Sequence, residues 1–180
     1  MFNFLNRDRK IKNKAHKLFT YVVEQARKPE FYREWGVADS LDGRFDLVIL
    51  HLSLLIDRLE DDGKNRQKVI LIRTLQEALF DNMDMSLREM GVGDMSVGKK
   101  VKVMAEAFYG RKKAYQEAIV STDAENAVKA ALIRNIYRDR KPEDHIIDLF
   151  ASYVIRQVKY LGRQSDEDFI SAKVFFEEVK

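Results

Sequence analysis

The stretch DGRFDLVILHLSLLIDRL, residues 42–59, decides the fold class. Leu47, Leu50, Leu54 and the run Ile56 to Leu59 recur at helical rather than alternating spacing, so they form the buried stripe of an α-helix. Asp42 is the expected N-cap, because its side-chain oxygen can accept from the backbone N–H of Arg44 or Phe45. The apolar run Leu47 to Ile56 contains His51 and Ser53 and is far shorter than the roughly 20 residues a membrane-spanning helix needs. Asp61, Asp62 and Gly63 break the chain after it.

Helical patterning extends in both directions. Upstream, Ala15, Leu18, Phe19, Val22 and Ala26 line one face of a helix from about Lys10 to Arg27, and Pro29 stops it or begins the next turn. Downstream, a third helix is predicted from Arg66 to Met90 with Leu71, Leu75 and Leu79 inside and Gly91 as C-cap. Ser96 is the expected cap of a fourth, carrying Val97, Val101, Met104, Phe108 and Tyr115 and ending near Ser121. Thr122 and Glu125 have capping-box spacing and open a fifth to about Tyr137. Pro142 fits the first turn of a sixth, with Ile146, Phe150, Tyr153 and Val154, ended by Gly162. Ser165 and Asp168 start the last, holding Phe169, Val174 and Phe175.

No strand of period two, solenoid repeat or low-complexity linker interrupts this pattern, so the expected fold is all-α, a single-domain bundle of about six to seven helices. The domain spans 15–180 and follows a basic, flexible segment at 1–14. Composition agrees: 180 residues with 46% hydrophobic and 34% charged side chains and two prolines can bury one core. The absence of cysteine excludes disulfides, thiolate metal sites and thiol nucleophiles. Basic residues occur early, but no apolar secretory region follows them, which places the protein in the cytoplasm or peripherally at the inner membrane.

The net charge of +3 is unevenly placed. Residues 1–28 hold eight Lys and Arg against two acids, and the rest of the chain is net acidic. Phe2, Phe4 and Leu5 precede Arg7, Arg9, Lys10, Lys12 and Lys14, an apolar anchor with a cationic stretch suited to anionic lipid or ribosomal RNA. Sequence-specific nucleic-acid binding is not expected, because it would require a basic face on the folded domain.

Catalytic motifs are absent. There is no G-x-S-x-G elbow, P-loop or dinucleotide fingerprint, and Gly91 and Gly93 lack the third glycine and preceding strand of a nucleotide site. Glu77, Asp81 and Asp84 share a helix face and could hold a divalent cation, which defines the alternative reading, a small all-α metal-dependent enzyme. Arg88, four residues after Asp84, explains the same spacing as an ion pair. His51 lies on an apolar face and is expected to be an interior histidine bonded to a carboxylate or carbonyl. His16 and His145 are not in ligand spacing with it, so neither metal nor cofactor is expected.

Two tracts, PEFYREWGVADSLDGRFDLVILH at 29–51 and FDNMDMSLREMGVGDM at 80–95, concentrate glycines, carboxylates, arginines and aromatics. Their composition suggests a polar brace between helix ends, with Arg44 meeting Asp84 or Asp94 and Arg88 meeting Asp46. Gly43, Phe45, His51, Glu89, Gly91 and Gly93 would complete that scaffold.

The series F-Y-x-x-x-G-V-x-D-S-L-D-G-R-F-D at 31–46 with Leu50 and His51, then M-D-x-x-L-R-E-M-G-V-G-D at 83–94, then A-F-Y-G-R-x-x-A-Y at 107–115, resembles the ubiquinol-cytochrome c chaperone family over about residues 18–120. The resemblance implies a bacterial assembly factor for respiratory complex III, not an enzyme, that associates with newly made cytochrome b. It also implies a second assembly factor and the ribosome as partners. Asn82 departs from the aspartate expected in many members. A client surface should be apolar and adaptable, and Tyr32, Trp35, Met83, Met90, Phe108, Tyr109 and Tyr115 are its candidates.

Overall fold

The computed structural model describes residues 2–60, 64–138, 140 and 142–179, with side chains from residue 8 onward. The helices are α1 (Phe2–Ala26), α2 (Pro29–Arg33), α3 (Leu41–Leu59), α4 (Arg66–Glu89), α5 (Asp94–Ile119), α6 (Ala124–Leu132), α7 (Asp144–Gly162) and α8 (Asp166–Ser171). A π-helical turn, Ile133–Tyr137, extends α6. No strand occurs among the described residues.

α3 is the axis of the domain. Every residue from Asp46 to Ile56 is buried, which is what a helix apolar nearly all round requires. α1, α4, α5, α7 and the π turn pack around it. Residues 2–14 of the basic segment form the first half of α1, so that helix starts eight residues before the predicted Lys10.

Several helix starts differ from expectation for local reasons. α3 is capped by Ser40, whose Oγ accepts from the Gly43 N–H at 3.1 Å, because Asp42 is drawn away to Arg138 at 3.0 Å. Gly93, not Ser96, caps α5. Asp123, not Thr122, caps α6, accepting from the Asn126 N–H. Pro142 precedes α7, whose cap is Glu143. The Ser165–Asp168 capping box is present, but α8 ends at Ala172, where φ of +54° reverses the chain. Val174 and Phe175 therefore belong to an extended tail.

That tail is held by side-chain amides. Gln157 accepts from the Glu177 N–H at 3.1 Å and donates to its carbonyl at 2.7 Å. Gln164, two turns on, makes the same pair of bonds with Phe175 at 2.9 and 2.8 Å. One glutamine within α7 and one just past its end thus satisfy backbone groups that a sheet would otherwise pair.

Candidate client-binding cleft

The two glycine- and carboxylate-rich tracts meet as opposite walls of a cleft. Leu41, Arg44 and Phe45 at the start of α3 face Met83, Ser86 and Met90 at the end of α4 across a space of about 300 Å³, floored by Val48 and Leu79. An adjoining hollow of about 350 Å³ runs between Leu41, Leu87 and Met90 and the α5 residues Lys99, Lys100, Val103 and Met104. Met90 is 60% exposed and Val103 64%, so apolar side chains stand open to water along its rim.

The walls are positioned by three local devices. Gly91 takes φ of +83° at the end of α4, a conformation open to glycine, and turns the chain into α5. Arg88 grips Asp84 at 2.5 Å and also pairs with Asp94 across that turn. Gly43 lets α3 lie against the preceding loop: a Cβ there would sit 2.0 Å from the Ala38 carbonyl oxygen.

The central brace lies deeper. Asp46 is 1% exposed and is flanked by Arg111 of α5 at 3.1 Å and Arg138 at 2.8 Å. The π turn delivers Arg138, which adopts φ of +53° and reaches Asp42 as well. Burial pushes the Asp46 carboxyl up to about 6, against the pull of both guanidinium groups. Tyr115 lies nearby, its phenol raised by burial and by the Asp46 charge.

This pairing corrects the expected one. Arg44 bonds to Asp39 at 2.7 Å within its own loop, not to Asp84 or Asp94, and Arg88 is spent on its own tract rather than on Asp46. The bond across elements joins the first tract to Arg111 of the third motif. Arg111 and Arg138 are the residues sequence reasoning missed. The signal for Arg111 was its place in the A-F-Y-G-R motif, whereas Arg138 carries none.

Four of the seven expected client contacts are in the core. Trp35, Met83, Phe108 and Tyr115 are buried, Trp35 packing edge-on against Phe31 at 5.2 Å. Met83 still contributes to the cleft lining. Tyr32 is half-buried and ties α2 to α1 by donating to the Ala26 carbonyl at 2.7 Å. Met90 and Tyr109 are exposed, and Leu41, Val103 and Met104 join the surface.

His51 is fully buried and bonded to the Leu47 carbonyl and the Tyr153 hydroxyl, both at 2.8 Å. Burial lowers its pKa to about 4. Two of the three carboxylates of the alternative metal reading are engaged elsewhere, Glu77 with Arg73 at 2.9 Å and Asp84 with Arg88. Among the described residues no group of three or more His, Asp or Glu could hold a metal ion. Arg9, Lys10, Lys12 and Lys14 are exposed on α1, while the side chains of Phe2, Phe4, Leu5 and Arg7 lie outside the described residues.

These elements define an all-α domain built around a buried arginine–aspartate brace, with an apolar cleft open on one side. The chain belongs to the ubiquinol-cytochrome c chaperone family, which matches residues 33–176. The match carries the family well past residue 120, through α6, α7, α8 and into the tail. A Xenopus laevis protein named ubiquinol-cytochrome-c reductase complex assembly factor 1 is 26% identical over 161 residues, covering 89% of this chain and 78% of that protein. The Mus musculus protein of that name is also 26% identical over 161 residues, but this chain spans only 53% of it. The crystal structure of the Cbp3 homolog from Brucella abortus superposes with a TM-score of 0.85 at 31% identity, covering 98% of this chain and 95% of that one.

Proposed function

We propose that this chain is an assembly chaperone for ubiquinol-cytochrome c reductase and that its α3–α4–α5 cleft holds an apolar segment of newly made cytochrome b. The single observation carrying this reading is the open apolar rim formed by Met90 and Val103, set in walls that family motifs build. Apolar client segments are held by removing area from water, and unbranched methionines at a rim adapt to varied side chains.

The brace suits this work. A binding protein that must accept and release a client needs a cleft of constant shape, and the Asp46 pairs lock α3, α5 and the π turn together beneath it. The protein acts by binding rather than by catalysis. It works on the cytoplasmic side, peripherally at the inner membrane, with a second assembly factor and the ribosome as partners. No described helix is long and apolar enough to cross a membrane.

Crosslinking in native membranes followed by affinity recovery of the full chain tests this reading. Recovery of cytochrome b is expected. An abundant unrelated client without cytochrome b would overturn it.

A further inference from the structure

Met95, Lys99, Lys102, Glu106, Tyr109 and Lys113 follow one another at helical spacing along α5, and all six are exposed. Met95 is 92% exposed and Tyr109 50%. This outer stripe faces away from the core, which α5 meets through Val97, Phe108, Tyr115 and Ala118. The stretch Met95–Ala105 contains three lysines and no carboxylate.

The pairing of these lysines sets them apart. Nearby cations have partners: Arg88 has Asp84, Arg111 has Asp46, Lys112 has Glu60 at 2.7 Å and Lys113 has Glu117 at 3.8 Å. Among the described residues Lys99, Lys100 and Lys102 form no ion pair. The carboxylates flanking them on α5 are Asp94, which Arg88 holds, and Glu106, one turn along the stripe.

We propose that the outer face of the first half of α5 is a contact surface for an anionic lipid bilayer. Lys99, Lys100 and Lys102 engage headgroup phosphates, while Met95 enters the interface and Tyr109 lies along it with its hydroxyl in the wet layer. Met95, Lys102, Glu106 and Tyr109 line neither hollow and suit a planar partner, whereas Lys99 and Lys100 stand where the stripe borders the adjoining one, which suits a peptide side chain. RNA is the poorer match, because the stripe has no arginine and a single aromatic on which a base could stack.

The surface deepens the peripheral attachment in the proposed function and rests on that reading for its purpose. It adds a site distinct from the basic start of α1. Each lysine close to an anionic surface contributes about a fivefold gain in partitioning, so losing two costs roughly 25-fold.

Vesicle sedimentation of the full chain tests it, with phosphatidylcholine vesicles prepared with and without phosphatidylglycerol. The expected result is binding that requires phosphatidylglycerol, weakens at high salt, falls by at least roughly 25-fold in K99E/K102E, and is reduced in Met95→Ser. A control carrying Lys10, Lys12 and Lys14 as glutamates should retain the α5-dependent part. Equal binding to pure phosphatidylcholine overturns the proposal. So does unaltered vesicle binding by K99E/K102E, including the case where that variant instead loses cytochrome b capture, which would make the stripe a protein-docking face. Failure of cytochrome b recovery with intact lysine-dependent vesicle binding would refute the client assignment alone.

Discussion

The Tyr153 hydroxyl donates its hydrogen bond to Nε2 of His51 across 2.8 Å, and the tautomer follows from the other side of the ring. Nδ1 lies 2.8 Å from the Leu47 carbonyl, which can only accept, so the proton is on Nδ1 and Nε2 is the acceptor. Tyr153 in turn accepts from the Gln25 amide at 2.8 Å, and that amide also donates to the Glu177 carbonyl at 3.0 Å. One buried relay thereby joins α1, α3, α7 and the C-terminal tail.

Removing its middle member strands two buried groups. Tyr153→Phe keeps the ring in place but leaves Nε2 of His51 without a donor and one amide contact of Gln25 without an acceptor. The expected loss is about 1–3 kcal/mol in denaturant unfolding with an unchanged m-value. A variant as stable as the wild type would show that the relay contributes no net stability.

His51 and Asp46 should impose opposite pH dependences. The His51 pKa is lowered from 6.5 to about 4, so its stabilisation is complete above 6.5 and is lost as pH falls through 4. The Asp46 pKa is raised from 3.8 to about 6, so its contribution is complete below 3.8 and is lost as pH rises through 6. From pH 7 to 4, wild-type stability relative to His51→Asn should fall by about 3 kcal/mol, and relative to Asp46→Asn it should rise by a similar amount. Melting curves of the three proteins across that range check both signs.

Gly43 and Gly110 should respond oppositely to alanine. At Gly43 the new Cβ would meet the Ala38 carbonyl oxygen at 2.0 Å, so loop and helix must part, at a cost of about 1–3 kcal/mol. At Gly110, inside α5, the added Cβ has nothing within 4 Å, and alanine should stabilise by about 0.5–1 kcal/mol through helix propensity. Equal effects at the two positions would contradict the close approach at Gly43.

What the sequence made legible was local. The Leu47, Leu50 and Leu54 spacing marks α3 because periodicity is a property of neighbours along the chain, and the Ser165–Asp168 box was equally self-contained. The caps of α3 and α6 went astray where adjacent polar residues compete, and at α3 the choice is settled by Arg138, which lies 96 residues from Asp42. The partners of Asp46 were hidden for the same reason. Exposure of the aromatics was not legible either: Phe108 and Tyr109 are neighbours, yet the first is in the core and the second is half open to water.

The Asp46 brace should behave as a coupled unit. Arg111→Met removes one of two charges that offset a buried carboxylate, leaving Arg138, and the expected cost is about 2–4 kcal/mol. Adding Asp46→Leu to that variant removes the under-compensated charge and should restore part of the loss. A double-mutant cycle with additive effects would show that the two residues do not interact.

Cleft and scaffold should be separable by substitution. Met90 and Val103 lie on the rim with more than half of their surface open, so Met90→Ser with Val103→Ser removes little buried area and should change stability by no more than about 0.5 kcal/mol. If an apolar cytochrome b segment covers that rim, burying one such side chain contributes about 1.5 kcal/mol or more, and capture in the crosslinking assay should fall at least about tenfold. The Arg111→Met variant supplies the opposite pattern, a lower melting temperature with rim chemistry intact. Undiminished capture by the rim variant, with folding unchanged, would place the client elsewhere on the domain.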